Sequence, residues 1–298
     1  MGYWEPHSAS IDFCESNYLH SNYIVEFHNT WSSLAGLSSL GILGLFYGNP
    51  TREFRYALAY QVLITIGLGS TGLHGSLHWL FQSSDELPMI WLVMCLFYLL
   101  AEFDSPIGSP THPRLPLILS GFTVLLTAIY YAFQKIYIVF ILSFILETLI
   151  VVAWYARILF APTYGGKPND RKFSTKCLGV MAFSSLTLIA FPLWLYDMFQ
   201  CDSFLPIVDH MHFLRGITPH VLWHFFSGLG AYCAIIGLSC CRLEALQIPY
   251  ELRFRLGFIP ILERVTKREK SSFVQTVDDT VSCNEECKYL VDGIVNKL

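Results

Sequence analysis

The stretch PHVLWHFFSGLGAYCAIIGLSCC, residues 219–241, decides the fold class. It is as long as a helix that crosses a bilayer, about 20 residues, and it contains no Asp, Glu, Lys or Arg. Two histidines interrupt the apolar run. A neutral imidazole in hydrocarbon needs a partner for each ring nitrogen, so the placement is costly unless the rings bind a metal or line a wet cavity. His220 and His224 stand four residues apart, on one helical face, as two metal ligands from one helix must.

Six more runs of similar character lie upstream, at 30–48, 56–78, 86–103, 115–132, 136–160 and 175–198. The chain is 53% hydrophobic and 14% charged, against about 25% charged for a soluble domain, and its mean hydropathy is +0.46. These features predict an all-α integral membrane protein, a seven-transmembrane helix bundle with an intramembrane zinc site. Short connections favour one compact bundle. The expected organisation is an N-terminal segment over 1–29, the bundle over 30–241, and a membrane-surface segment with a cytosolic tail over 242–298. The net charge is only −4, and the basic residues lie in loops rather than in a stripe, which excludes a nucleic-acid partner.

Loops rich in Lys and Arg stay cytoplasmic. With the N-terminus lumenal, the cytoplasmic side holds Arg52, Arg55, Arg114, Arg157, the 167–176 cluster and every basic residue after 241; only Lys135 and Arg215 fall on the other side. Residues 1–29 contain no Lys or Arg and lack the features of a secretory signal, so the first span is expected to direct insertion. Cys14 and Cys201 then share the lumenal side, where disulfides persist, and a bond between them is predicted. Cys283 and Cys287 read as free cytosolic thiols.

The same parity brings distant segments to one depth. His74 ends the second span in GSTGLH (69–74), His220 and His224 begin the seventh, Asp85 begins the third and Asp197 closes the sixth. Three histidines with an open fourth position are the ligand set of a hydrolytic zinc, which lowers the pKa of water to roughly 7. Asp85 is the candidate proton carrier, Ser70, one turn before His74, the candidate oxyanion donor, and Asp197 a group that orients a ligand. Each has a plainer reading. His74 suits a hydrogen-bonded structural role, Ser70 suits helix packing, and Asp85 beside Glu86, Leu87 and Pro88 suits a helix cap. His78, four residues from His74, is an alternative ligand next to FQSSDE (81–86), read as a polar loop. His7, His20, His28, His112, His210 and His212 read as surface groups. Glu147, deep in the fifth span, must be paired or protonated.

Asp12, Glu15, Asn17 and Glu26 form an oxygen-rich cluster in the N-terminal segment. Such a set suits calcium, with the Phe13 carbonyl as a further ligand, but lacks the EF-hand pattern and taken alone reads as a solvated acidic arm.

GYWEP (2–6), DFCESNY (12–18), the Asn29-Thr30 pair after Glu26-Phe27, GSTGLH, DELPMI (85–90), PHVLWH (219–224) and SGLGAY (227–232) occur in this order. In that series the chain resembles the alkaline ceramidases, membrane amidases of the endomembrane system, from about residue 3 to about residue 265. The resemblance implies zinc on His74, His220 and His224, and Ser70 and Asp85 in the catalytic layer. It also implies calcium on Asp12, Phe13 by its carbonyl, Glu15, Asn17 and Glu26, and the Cys14–Cys201 disulfide. Phe13 stands where tryptophan is common, and His78 is an extra histidine. The function implied is hydrolysis of the N-acyl amide bond of ceramide, a membrane lipid, to a sphingoid base and a fatty acid, in the endoplasmic reticulum or Golgi. The rival readings are a hydrolase of another lipid, of the glycosylphosphatidylinositol-remodelling type, and a seven-helix receptor-like protein whose zinc is structural and closed by a fourth ligand.

Overall fold

The computed structural model describes residues 2–209 and 215–264. Expectations for His210, His212, Cys283, Cys287 and the tail beyond 264 lie outside the described residues.

Helix α1 runs without a break over 27–47, from Phe27–Ser33 through a π-helical turn, Leu34–Ser38, to Ser39–Tyr47. It is followed by α2 (Phe54–Ser76), α3 (Trp79–Ala101), α4 (Leu115–Ala132) and α5 (Tyr137–Phe160). The two-residue strands β1 (Thr163–Tyr164) and β2 (Lys167–Pro168) make a small antiparallel turn. Then come α6 (Phe173–Phe199, with a π turn at Ser184–Ala190), the short α7 (Cys201–Asp209) and α8 (Pro219–Ala245). Among the described residues six helices, α2 to α6 and α8, are long and apolar enough to cross a membrane.

Burial sorts these helices into centre and periphery. In the apolar windows of α2, α3 and α8, 56%, 61% and 67% of residues are buried within the protein, against 6% in α4 and 17% in α5. The central helices carry Ser70 and His74, Asp85, and His220 and His224 respectively. Small residues let their backbones approach. A Cβ on Gly228 of α8 would collide with the Gly36 carbonyl of α1, and one on Gly69 of α2 with the Ser84 carbonyl of α3. Close approach of this kind is how helices gain packing energy where lipid supplies no hydrophobic drive.

The third helix begins earlier than its hydropathy implies. Leu77 takes a left-handed φ of 46° and ends α2, and His78 is the N-cap of α3, its Nδ1 accepting the Leu80 N–H at 3.2 Å. The expected polar loop FQSSDE is therefore helical, and Asp85 lies well inside α3 rather than at its start. Its polar residues find partners without leaving the helix. Ser83 and Ser84 donate to the carbonyls of Trp79 and Leu80 at 3.1 and 2.9 Å, and Gln82 pairs with Ser10. The helix-cap reading of Asp85 is thereby corrected.

At the opposite end of the bundle Arg242, 1% exposed, donates to Glu53 at 2.9 Å and to the carbonyls of Phe103 (3.2 Å) and Ser105. It ties the end of α8 to the start of α2 and the segment after α3. The stretch LRFRLGFIPIL (252–262), expected as a membrane-surface segment, folds into an antiparallel hairpin of β3 (Tyr250–Arg255) and β4 (Ile259–Arg264). Leu256 and Gly257 supply positive φ at its turn. Ile261 and Leu262 are buried, and Tyr232 of α8 donates to the Pro260 carbonyl at 2.6 Å.

Candidate metal centre

His74, His220 and His224 are all buried, and each offers a ligand nitrogen within 4.8 Å of the others'. Their ring centroids are 5.0, 5.0 and 4.7 Å apart. The expected convergence of two distant helices on one point is thus present, and it fits a metal ion.

The hydrogen bonds around the rings orient their lone pairs. His74 Nδ1 faces Glu26 Oε2, and its Nε2 is buried without a partner among the described residues. Ser32 Oγ donates to the Asn29 carbonyl at 3.1 Å, so it is free to accept from His224 Nδ1 at 2.8 Å. That arrangement leaves the His224 Nε2 lone pair turned toward the cluster, 3.2 Å from Ser70 Oγ. Among the described residues His220 Nδ1 is also buried without a partner. Orphaned buried nitrogens are costly. A bound cation would satisfy them, and fixed opposite nitrogens are characteristic of metal-binding histidines.

His78 does not join the cluster, because its Nδ1 is engaged in capping α3. Asp85 does lie near it. Buried, with Oδ1 unpartnered among the described residues, its carboxyl interacts with the Ser70 side chain and lines a cavity of about 70 Å³ together with His220 and Trp223. Met89, Phe144 and Trp223 also line a neighbouring apolar cavity of about 240 Å³. Asp197 orients by another route than a ring contact: Oδ1 accepts the His220 N–H and Oδ2 the Cys14 N–H, both at 3.1 Å. It fixes the start of α8 to the N-terminal arm. The predicted Cys14–Cys201 bond is formed, with Cα atoms 5.2 Å apart.

The arm roofs the histidines. The Phe13 ring lies 4.7 Å from that of His74 and 4.1 Å from that of His220. Glu15 accepts the N–H groups of His28 and Asn29 at 2.7 Å each, Glu26 Oε1 accepts that of Phe13 at 3.2 Å, and Asn17 donates to Asp12 at 3.2 Å. Burial pushes the Glu15 carboxyl up to about 7. Burial, then the charges of Asp12 and Glu15, hold Glu26 well above the carboxylate range. A cation would relieve this crowding. Among the described residues, however, the carboxylates of the acidic arm do not form a group of three within 4.8 Å as the histidine nitrogens do.

Ser32 and Ser33 are contacts of His224 that sequence reasoning missed, as it missed the contact of Glu26 with His74. A signal existed: Asn29, Ser32 and Ser33 are polar residues at helical spacing on one buried face. Glu147 is buried and its Oε2 has no partner among the described residues.

The Ceramidase family profile matches residues 5–263. Alkaline ceramidase 3 of Mus musculus is 30% identical to this chain, covering 87% of it and 93% of the mouse protein. An alkaline ceramidase of Arabidopsis thaliana is 25% identical, covering 88% and 94%, and one of Saccharomyces cerevisiae 27%, covering 91% and 88%. A profile spanning nearly the whole chain, together with relatives aligned along most of their own length, establishes that this chain belongs to the ceramidase family.

Proposed function

We propose that this protein is a ceramide amidohydrolase of the endoplasmic reticulum or Golgi membrane. It cleaves the N-acyl amide bond to release a sphingoid base and a fatty acid. The observation that carries the reading is the buried cluster of His74, His220 and His224, whose His220 lines one cavity with the Asp85 carboxyl, next to an apolar cavity that shares Met89, Phe144 and Trp223 with it. Helix α1, continuous over 27–47, supplies the seventh span of the bundle.

The three histidines would hold zinc, which when bound would supply Lewis acidity and lower the pKa of water toward neutrality. Asp85, which lines the cavity and whose Oδ1 has no partner among the described residues, takes the proton of the attacking water and returns it to the departing amine. Ser70 donates to the oxyanion that develops at the carbonyl. The apolar cavity, lined by residues such as Leu63, Leu92 and Leu186, receives hydrocarbon chains entering from the bilayer. Asp12, Glu15, Asn17, Glu26 and the Phe13 carbonyl hold calcium in the lumenal arm, a reading supported by the crowded carboxylates. The engagement of His78 in capping α3 speaks against a zinc closed by a fourth histidine, and so against the receptor-like alternative.

The test uses purified protein in lipid nanodiscs, with bound metal measured by mass spectrometry and ceramide hydrolysis by lipid chromatography. His220→Ala and His224→Ala should each lose zinc and lower turnover more than about a hundredfold. Undiminished hydrolysis by metal-free variants would overturn the mechanism.

A further inference from the structure

Glu86 follows Asp85 and lines the same cavity, beside His220. It is 3% exposed, and the hydrolytic mechanism has no use for it. Its hydrogen-bond role can be read from its partners. The Gln82 carbonyl oxygen is committed to the Ser10 N–H at 2.8 Å, so the Gln82 amide must present its NH₂ to Glu86 Oε1, at 2.9 Å. On the other oxygen, Oε2, Tyr130 donates its phenol hydrogen at 2.7 Å. The Gln82 amide and the Tyr130 hydroxyl, one on each oxygen, hold Glu86 in a fixed orientation. Each carboxylate oxygen keeps a second lone pair.

The two neighbouring carboxyls are therefore distinct. Among the described residues Asp85 has an unpartnered oxygen, whereas Glu86 is held at both oxygens, each with a lone pair left to accept. Immobilised acceptors recognise donors. Resting on the ceramide-hydrolase reading, we infer that Glu86 is a specificity-determining residue that accepts a hydrogen bond from a sphingoid-base hydroxyl. The hydroxyls concerned are the two on the carbons that flank the amide-bearing carbon. The contact selects hydroxylated amides over simple fatty amides and sets the scissile bond between Asp85 and the histidines. A site built around such a contact rejects analogues that lack the hydroxyl, because its buried acceptor is left unpaired.

The experiment measures kcat and KM for ceramide and for its 1-deoxy and 3-deoxy analogues, with the zinc-loaded enzyme and with Glu86→Gln in nanodiscs. One of the analogues should be used about ten- to a hundredfold less efficiently than ceramide by the unaltered enzyme, the range of a charge-assisted hydrogen bond. Glu86→Gln should lose a similar factor on ceramide, little on that analogue, and no zinc. Equal use of all three substrates by the unaltered enzyme would overturn the assignment, as would an equal fall on all three in the variant. Should Glu86→Gln not fold, Tyr130→Phe removes one of the two donors and keeps the ring. It should narrow the same preference, and unchanged selectivity would refute the inference. Absence of ceramide turnover by the unaltered enzyme would instead overturn the hydrolase reading, and this inference with it.

Discussion

Ser32 determines which nitrogen of His224 is free. Its hydroxyl gives its hydrogen to the Asn29 carbonyl and accepts from Nδ1, so Nε2 keeps its lone pair. Replacing it by Ala leaves Nδ1–H without an acceptor in a buried place and lets the ring change tautomer. Ser32→Ala should weaken zinc binding about ten- to a hundredfold, measured by competition with a chromophoric chelator, while thermal stability changes far less than in His224→Ala. The pair at 220 and 224 was legible in the sequence because two polar rings on one face of an apolar run are tolerated only where something binds them. Ser32 was not. Serines pack routinely in membrane helices, and only the packing of α1 against α8 makes this one a partner of His224. Glu26 was legible as an oxygen donor but not as a neighbour of His74, which depends on where the arm folds back.

Elements were legible where hydropathy alone sets their ends, and less so where hydrogen bonds do. The start of α3 was hidden because Gln82, Ser83 and Ser84 resemble a loop until Ser10 and the helix carbonyls are seen to satisfy them. The β3–β4 hairpin had a sequence signal, alternation in LRFR before Leu256-Gly257, which the apolar content of the stretch obscured. At the far end of the bundle, the Glu53–Arg242 pair gives the joined elements a dependence on pH. Burial alone would raise Glu53, but the Arg242 and Arg55 guanidinium groups outweigh it and hold its carboxyl below the ordinary 4.5. A depressed carboxyl stabilises the fold fully above its unfolded value, and the contribution is lost as pH falls through the folded one. Glu53→Gln should lower the melting temperature near pH 7, and its difference from the unaltered protein should shrink below pH 4.5. A difference independent of pH would show that packing, not charge, is at stake.

For the whole molecule, the sequence carried the class and the depth of the site, since apolar runs and their parity place His74, His220 and His224 in one layer. The division into a buried core of α2, α3 and α8 and a periphery of α4 and α5 had a signal that went unused: the peripheral runs are the more apolar, with mean hydropathies of 1.8 and 2.3 against 1.2, 1.5 and 1.6. Orientation rests on the distribution of Lys and Arg. Engineered N-glycosylation acceptors in residues 2–10 should be modified in cells, and acceptors in 104–114 should not, as read by an endoglycosidase-sensitive shift in mass. The reverse pattern would invert the bundle and put the histidine cluster on the cytosolic face.

The Phe13 roof over the histidines, clamped by the Cys14–Cys201 bond, has a kinetic consequence. On the proposed orientation the roof covers the aqueous face, and encounters are expected in two dimensions, between the enzyme and lipids diffusing in the same leaflet. Turnover then follows the mole fraction of ceramide among its lipid neighbours, so surface dilution with inert phospholipid slows it even when the amount per millilitre is unchanged.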